Sequence, residues 1–228
     1  MKKICRYINI LLLNSVFFSL CGSGLSAQNN EEEFNPRLWQ GLRVEADVAS
    51  VVLSLLSGGE TYSYEGALTA NLKHKYFPVI EFGFAGADKK SEIGANFLSN
   101  GFFGRIGVDI NMMKVKKEQE RNNFFTLGAR LGMTGLKYDI NNVIVEDGYW
   151  GESEVHNFEG ISATKLWYEI VAGVHVEVFP RVYLGWNIRL KNTIGKDKNS
   201  VTPWYIPGFG KYGLSAVWAF NYTVGFRF

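Results

Sequence analysis

Ionisable residues recur at alternate positions within the apolar stretches of this sequence, and they form two sets of nearly equal size. A β-strand turns successive side chains to opposite faces, so these residues would lie on the face opposite the apolar ones. Buried ions need partners, because an unpaired buried charge is strongly destabilising. We therefore expect a charge-paired interior network with a structural role, formed by Arg43, Glu45, Asp47, Glu65, Glu81, Arg105, Asp109, Arg130, Glu169, His175, Glu177, Arg189, Lys191 and Arg227.

One pair within this network follows from the predicted turn at Pro180. A tight turn there sets Glu169 opposite Lys191 on the next strand, and it places Arg189 diagonal to Glu169. We therefore expect the carboxylate of Glu169 and the ammonium of Lys191 to be in contact.

Histidines offer two candidates for catalysis. His175 and Glu177 share a face and could supply two thirds of a hydrolase triad, but that strand has no suitably placed serine. We expect no catalytic residue there. His156 lies near Ser153 and Glu154 in a predicted loop, which leaves an outer-leaflet lipid-modifying enzyme open as an alternative function.

No metal or cofactor is expected. An acidic segment could attract calcium, but its spacing matches no ligand pattern; its members are Asp139, Glu146, Asp147, Glu152 and Glu154. The sequence has no phosphate-binding glycine loop, zinc spacing or dinucleotide fingerprint. Both cysteines, Cys5 and Cys21, precede residue 28, so the rest of the chain has no thiolate ligand or thiol nucleophile.

The elements that would hold these side chains are β-strands. In the last fifteen residues every even position is apolar or aromatic: Leu214, Ala216, Trp218, Phe220, Tyr222, Val224, Phe226 and Phe228. The same alternation recurs along the chain and predicts eight strands, each long enough to cross a bilayer when tilted. The connections between them alternate between short, near 73–77, 114–123 and 179–181, and long, near 50–60, 86–100, 138–164 and 192–212.

This pattern predicts an all-β fold, an eight-stranded antiparallel transmembrane β-barrel with short periplasmic turns and long extracellular loops. A soluble eight-stranded barrel of the lipocalin kind would place its apolar face inside. Two features favour a lipid-facing surface instead. The polar face is rich in small residues and paired charges, which suit a narrow lumen. The apolar face carries large aromatics at strand ends, where membrane proteins place their interfacial girdles.

The N-terminus has the features of a secretory signal peptide over residues 1–27. Basic Lys2, Lys3 and Arg6 precede an apolar run, and small residues end at Ala27. Removing those three basic residues from 24 leaves 21 basic against 22 acidic residues, a net charge of −1. That balance carries no electrostatic footprint for nucleic acid. Residues 28–228 are expected to form one barrel domain.

The C-terminal half resembles a domain-of-unknown-function family of small outer-membrane barrels from Gram-negative bacteria. Its most specific part is Tyr205-Ile206-Pro207-Gly208-Phe209; further matching segments are Tyr149-Trp150-Gly151-Glu152, Glu169 to Gly173, Tyr183 to Trp186, Arg189-Leu190-Lys191 and Asn221-Tyr222-Thr223. The resemblance implies a barrel in the outer membrane and no assigned activity. The Pro-Gly turn of the first segment is expected to fold over the barrel mouth.

Together these features predict a non-enzymatic envelope or surface interaction protein that acts through its outer loops. A lipid-modifying enzyme, and a narrow channel or secretion-machine accessory, remain alternatives. The expected partners are outer-membrane lipid, the barrel-insertion machinery through the terminal Phe228, and an unidentified surface ligand or protein. We expect a monomer.

Overall fold

The computed structural model describes residues 36–56, 58–91, 94–113, 123–146, 153–195, 201–213 and 216–228. The predicted signal peptide lies outside the described residues, as does nearly all of the predicted turn at 114–123. No helix among the described residues is long and apolar enough to cross a membrane.

Within the described residues the chain is almost entirely β-structure. The strands are β1 (Trp39–Asp47), β2 (Thr61–Leu72), β3 (Tyr76–Lys90), β4 (Asn96–Asn111), β5 (Phe124–Glu146), β6 (Ser153–Phe179), β7 (Val182–Ile194), β8 (Tyr205–Ile206), β9 (Gly210–Lys211) and β10 (Val217–Arg227). One helix, α1 (Ala49–Leu56), follows β1.

Eight of the described strands close on themselves in the order β1-β10-β7-β6-β5-β4-β3-β2, and every neighbouring pair is antiparallel. Closure pairs the first and last described strands, with Arg43 of β1 opposite Arg227 of β10. The strands β8 and β9 form a separate two-stranded hairpin. The prediction of an all-β fold with eight antiparallel strands is confirmed.

The closed sheet has two ends of different character. The turn end holds the start of β1, the last residue Phe228 and the tight links at 73–75 and 180–181. The loop end holds α1, the β8–β9 hairpin and the connections β3–β4 and β5–β6.

Two of the predicted long loops are wrong in extent. The connection expected at 86–100 is mostly strand, because β3 runs to Lys90 and β4 begins at Asn96. The one expected at 138–164 is likewise strand to Glu146 and again from Ser153. Both pairs continue there around inward apolar side chains; Phe97 and Tyr138 are buried in one cluster with their ring centres 6.3 Å apart. The connection expected at 50–60 does lie between β1 and β2, and it contains α1.

The connection expected at 192–212 begins later than predicted, since β7 continues to Ile194, and it carries the β8–β9 hairpin.

Side-chain alternation separates the two faces along every strand of the closed sheet. On β4, Arg105 is 3% exposed and the next residue, Ile106, is 60% exposed. The interior therefore holds the charged residues, and the outward face holds large apolar ones.

Candidate functional site

The middle of the interior is a layer of ion pairs centred on Glu81. Its carboxylate accepts hydrogen bonds from Arg105 at 2.8 Å, from Arg130 at 3.2 Å and from Arg189 at 2.7 and 3.1 Å. These residues come from β3, β4, β5 and β7, so a single carboxylate links four strands of the closed sheet. Arg130 also holds Asp109 through two parallel bonds of 2.7 and 2.8 Å, a strong bidentate geometry.

The register predicted at the Pro180 turn is confirmed, because Glu169 lies directly opposite Lys191. The two side chains do not form the direct ion pair that was expected, since each has other partners. Glu169 forms its ion pairs with Arg105 at 2.9 Å and with Arg189 at 3.2 Å, and it accepts a further bond from the indole of Trp167 at 2.7 Å. The ammonium of Lys191 instead donates to the carbonyl of Gly208 at 2.7 Å. The sequence pattern could not predict the Gly208 carbonyl as the acceptor, because Gly208 belongs to the connection after β7 and not to a neighbouring strand.

Closer to the turn end, a second group surrounds Glu45. It lies 3.2 Å from Arg43 Nε and 3.4 Å from His175 Nε2, and it accepts hydrogen bonds from Thr69 and Thr223. His175 is therefore a buried member of the ion network.

The other half of the predicted His–Glu dyad points elsewhere. Glu177 lies 3.4 Å from Arg227 and accepts a bond from the backbone N–H of Arg181 at 2.9 Å.

Aromatic side chains close the interior below this group. Phe77, Phe124 and Tyr183 form a buried cluster at the turn end. The guanidinium of Arg43 lies 5.3 Å from the centre of the Tyr183 ring, and that of Arg227 lies 5.7 Å from the same ring. Cations over an aromatic face are attracted by its quadrupole, so the ring and the two arginines support one another.

At the loop end, residues 203–209 fold into the interior as a plug. Ile206 and Phe209 are buried against Phe103 and Trp167, and the ring of Phe209 meets that of Trp167 edge-on at 6.1 Å. The prediction that this Pro-Gly turn folds over the mouth is confirmed, and the turn goes deeper than predicted. Burial and the nearby carboxylate of Glu65 raise the pKa of the Tyr205 hydroxyl to about 12.

The carbonyl of Gly208 ties this plug to the ion layer. It accepts hydrogen bonds from Arg105 at 2.9 Å and from Lys191 at 2.7 Å. Gly208 has φ +77°, and a β-carbon there would lie 2.5 Å from the Phe103 ring. Only glycine meets both the conformation and the space.

Two members of the predicted network, Glu65 and Asp47, form their hydrogen bonds near the loop end of β1. Glu65 accepts from Arg105 at 2.6 Å. Asp47 caps α1 through the backbone N–H of Ala49 at 3.1 Å, and Asn221 donates its amide to the carboxylates of both Asp47 and Glu65. The sequence carried a signal for this cap, because an aspartate stands two residues before the first residue of α1. A helix of eight residues is too short to add a helical periodicity to that signal.

Two cavities among the described interior residues are small. One of about 20 Å³ lies among Glu45, Asp47, Glu65 and Glu81, and one of about 10 Å³ lies beside Tyr183. Volumes of this size hold about one water molecule. The arrangement can therefore brace the sheet and exclude substrates from these two spaces.

The remaining histidine candidate lies on the exposed part of β6. His156 Nε2 is 3.4 Å from the carboxylate of Glu154, and its ring stacks on Phe158 at 6.5 Å. Ser153 and Glu146 begin and end their strands, and Asp147 and Glu152 lie outside the described residues. Asp139 accepts the backbone N–H of Gly160 at 2.6 Å. No group of three metal-ligating side chains occurs in the described part of the chain.

A family model described as a domain of unknown function (DUF6048) matches residues 4–228. No curated protein matches the chain.

Proposed function

We propose that this chain, which belongs to the family described as a domain of unknown function (DUF6048), is an outer-membrane β-barrel of a Gram-negative bacterium. It acts as a non-enzymatic surface protein, and residues 1–27 direct its export. The observation that carries the proposal is the inverted distribution of side chains. Ions and amides fill the middle of the interior, while the outward face exposes apolar residues on all eight strands of the closed sheet, including Phe82, Phe102, Leu131, Ile170, Ile188 and Phe220.

The dimensions of that outward surface match a bilayer. Outward apolar residues run from Phe102 to Ile110 on β4 and from Phe125 to Met133 on β5. These spans agree with the ~9–11 residues that a tilted strand needs to cross the hydrocarbon. Beyond them, along one row of register partners on three neighbouring strands, the outward residues become polar, with Asn100 opposite Lys137 and Lys137 opposite Ser162.

Aromatic residues border this belt at both ends. Tyr64, Tyr168 and Trp218 are exposed towards the loop end, and Tyr76, Phe226 and Phe228 towards the turn end. Such girdles mark the two interfaces of membrane barrels. In this arrangement the terminal Phe228 is exposed at the periplasmic interface, where it serves the barrel-insertion machinery as a recognition signal.

The surface function is assigned to the projecting part of the β5–β6 hairpin. β7 ends at Ile194, opposite Leu166, so the segment of β6 from Ser153 to Lys165 extends beyond it. β4 begins at Asn96, opposite Asn141, so β5 also projects further. The projecting ribbon exposes Ile144 and Val155, and we infer that it contacts an extracellular partner.

The channel alternative has less support, because the plug and the ion layer leave cavities of only about 10 and 20 Å³. The enzyme alternative depends on His156, whose partner Glu154 is largely exposed to solvent. Substituting His156→Ala in intact cells would test it. We expect the lipid composition of the outer leaflet to stay unchanged.

The barrel assignment is tested by electrophoresis of membrane fractions with and without boiling. We expect the full-length gene product in the outer-membrane fraction, with an unboiled band that migrates differently from the boiled one. Identical mobility, or release of the protein by alkaline carbonate, would contradict the proposal.

The ribbon assignment is tested separately by photocrosslinking in intact cells. A photoreactive residue replaces Val155 on the ribbon, and a matched one replaces Leu131 in the belt. We expect a discrete protein or glycan adduct at Val155 and lipid adducts only at Leu131.

A further inference from the structure

The wall of the closed sheet has a notch at its loop end, because β1 ends early. The last residue of β1, Asp47, pairs with Thr223 of β10, and on the other side Ala46 pairs with Gly66 of β2. Two strand segments therefore extend past the end of β1: Val217–Asn221 of β10 and Thr61–Glu65 of β2. The described residues place no further strand between these two segments.

This notch lies at the level of the lipid interface. Tyr64 of β2 and Trp218 and Phe220 of β10 flank it, and all three are exposed on the outward face. Unpaired backbone groups are costly in contact with hydrocarbon, so a membrane barrel needs something to shield such an opening. From the inside, Asn221 bridges it by donating to Glu65 and Asp47.

The helix α1 begins at this notch and contacts both β2 and β10. Asp47 fixes its start, and the same carboxylate accepts the backbone N–H of Tyr222 on β10 at 3.1 Å. At its other end the N–H of Gly59 donates to the carbonyl of Ser54 at 3.1 Å. The helix is thus anchored across the gap between the two strands.

The composition of α1 is unlike that of a water-exposed helix. The segment Ala-Ser-Val-Val-Leu-Ser-Leu-Leu has no charged residue, and none of its residues is buried. Leu53 is 57% exposed, and Leu55 and Leu56 are each 78% exposed. A short apolar helix with this much leucine in water would be an association hazard, whereas the same leucines are stable in the acyl-chain region of a bilayer.

We propose that α1 lies in the outer lipid interface, where the acyl chains of the outer leaflet are its binding partner and where it shields the notch beside β1. Lipid is chosen as the partner because the exposed leucines of α1 continue the apolar belt in the gap between Tyr64 and Trp218. This inference rests on the proposed membrane location.

Site-specific fluorescence quenching tests whether α1 lies in the lipid interface. In a full-length chain carrying Cys5→Ser and Cys21→Ser, the single substitutions Leu55→Cys, Phe102→Cys and Glu154→Cys are labelled with a fluorophore and placed in vesicles containing nitroxide-labelled phosphatidylcholine. Phe102 marks the belt and Glu154 the projecting ribbon. We expect quenching at Leu55 to reach at least half of that at Phe102, and to exceed that at Glu154 several-fold.

Two other outcomes are distinguishable. Strong quenching at Phe102 with quenching at Leu55 no greater than at Glu154 would overturn this inference and leave the membrane location intact. An unquenched Phe102 would contradict the membrane location itself, and the inference with it.

Shielding of the notch has its own test. In vesicles, the double substitution Leu55→Ser, Leu56→Ser should speed amide hydrogen exchange at least tenfold in residues 61–65 and 217–221, and leave the paired centre of β3 and β4 unchanged. Unchanged exchange in the two notch segments would show that α1 does not shield them.

Discussion

The interior and the outward face of the closed sheet are built from neighbouring residues of the same strands, yet they are stabilised in opposite ways. Inside, Glu81 and Glu169 are held by guanidinium groups from several strands. Outside, Phe102 and Ile106 remain largely exposed. In the middle of the barrel, burial therefore follows charge pairing, while apolar side chains face outward there and are buried inside only in the clusters at the two ends. Substitutions that exchange the two environments test this inversion.

The largest effect is expected from removing the central interior charge. Glu81→Gln leaves three guanidinium groups without the carboxylate they share, and loss of one partner of a buried pair destabilises by ~3–5 kcal/mol. Denaturant unfolding of the vesicle-embedded protein measures the change. The matched control is Glu60→Gln, which breaks an exposed pair with Lys89 of 3.2 Å. A contribution below ~1 kcal/mol is expected there. Equal effects of the two substitutions would mean that the interior layer is solvated.

A charge on the outward face should be the next most disruptive change. Ile106→Arg places a cation near the middle of the belt, where arginine costs ~2–4 kcal/mol in a bilayer. The same unfolding assay measures it, with Ser162→Arg above the belt as control. If Ile106→Arg were as harmless as the control, the outward face would be facing water.

The plug offers a smaller, local test of the interior. Gly208→Ala forces a left-handed residue to carry a β-carbon, at ~1–2 kcal/mol, and also presses it against Phe103. Gly213→Ala is the control: Gly213 also has a positive φ, of +94°, but a β-carbon added there would have no atom of another residue beyond its chain neighbours within 4 Å. We expect Gly208→Ala to lower the thermal unfolding midpoint more than Gly213→Ala. Equal shifts would place the turn outside the interior.

The smallest effect concerns the turn end. Burial and the charge of Arg227 lower the pKa of His74 below its usual 6.5, and its Nδ1 lies 3.0 Å from the amide of Asn71. The unfolded chain then binds more protons than the folded one, so the contribution of His74 to stability falls as pH drops below about 6.5.

The check on His74 is His74→Asn, since asparagine tolerates the left-handed φ of +52° found there. This variant should lose less stability than the parent chain between pH 7.5 and pH 5. A parallel loss in both chains would mean that His74 does not titrate differently on folding.

Alternation made most of the sheet predictable from sequence. Period-two patterning identified the eight strands and the register of Glu169 with Lys191, because both depend on local order along the chain. The strand extensions around Lys90 and Glu146 were missed, since charged and polar residues interrupt the apolar pattern where the sheet leaves the belt. α1 was missed because eight residues give too few turns for a helical period.

The partner choices inside the barrel were beyond sequence reasoning. Arg105 meets Gly208 across 103 residues, and Asn221 meets Asp47 across 174. Such contacts depend on how the closed sheet brings distant strands to one level, which no local pattern encodes. Alternation along each strand predicted which face each charge would occupy, and closure of the sheet selected its partner.

Photolabelling from within the lipid tests the inverted distribution most directly. The unmodified protein in vesicles is exposed to a diazirine dissolved in the acyl-chain region, and modified residues are located by mass spectrometry. We predict labels on Phe102, Ile106, Leu131 and Ile170 and none on Trp167 or Phe209. Labelling confined to the ribbon around Val155, or outward residues modified instead by hydroxyl radicals generated in water, would contradict a lipid-facing surface.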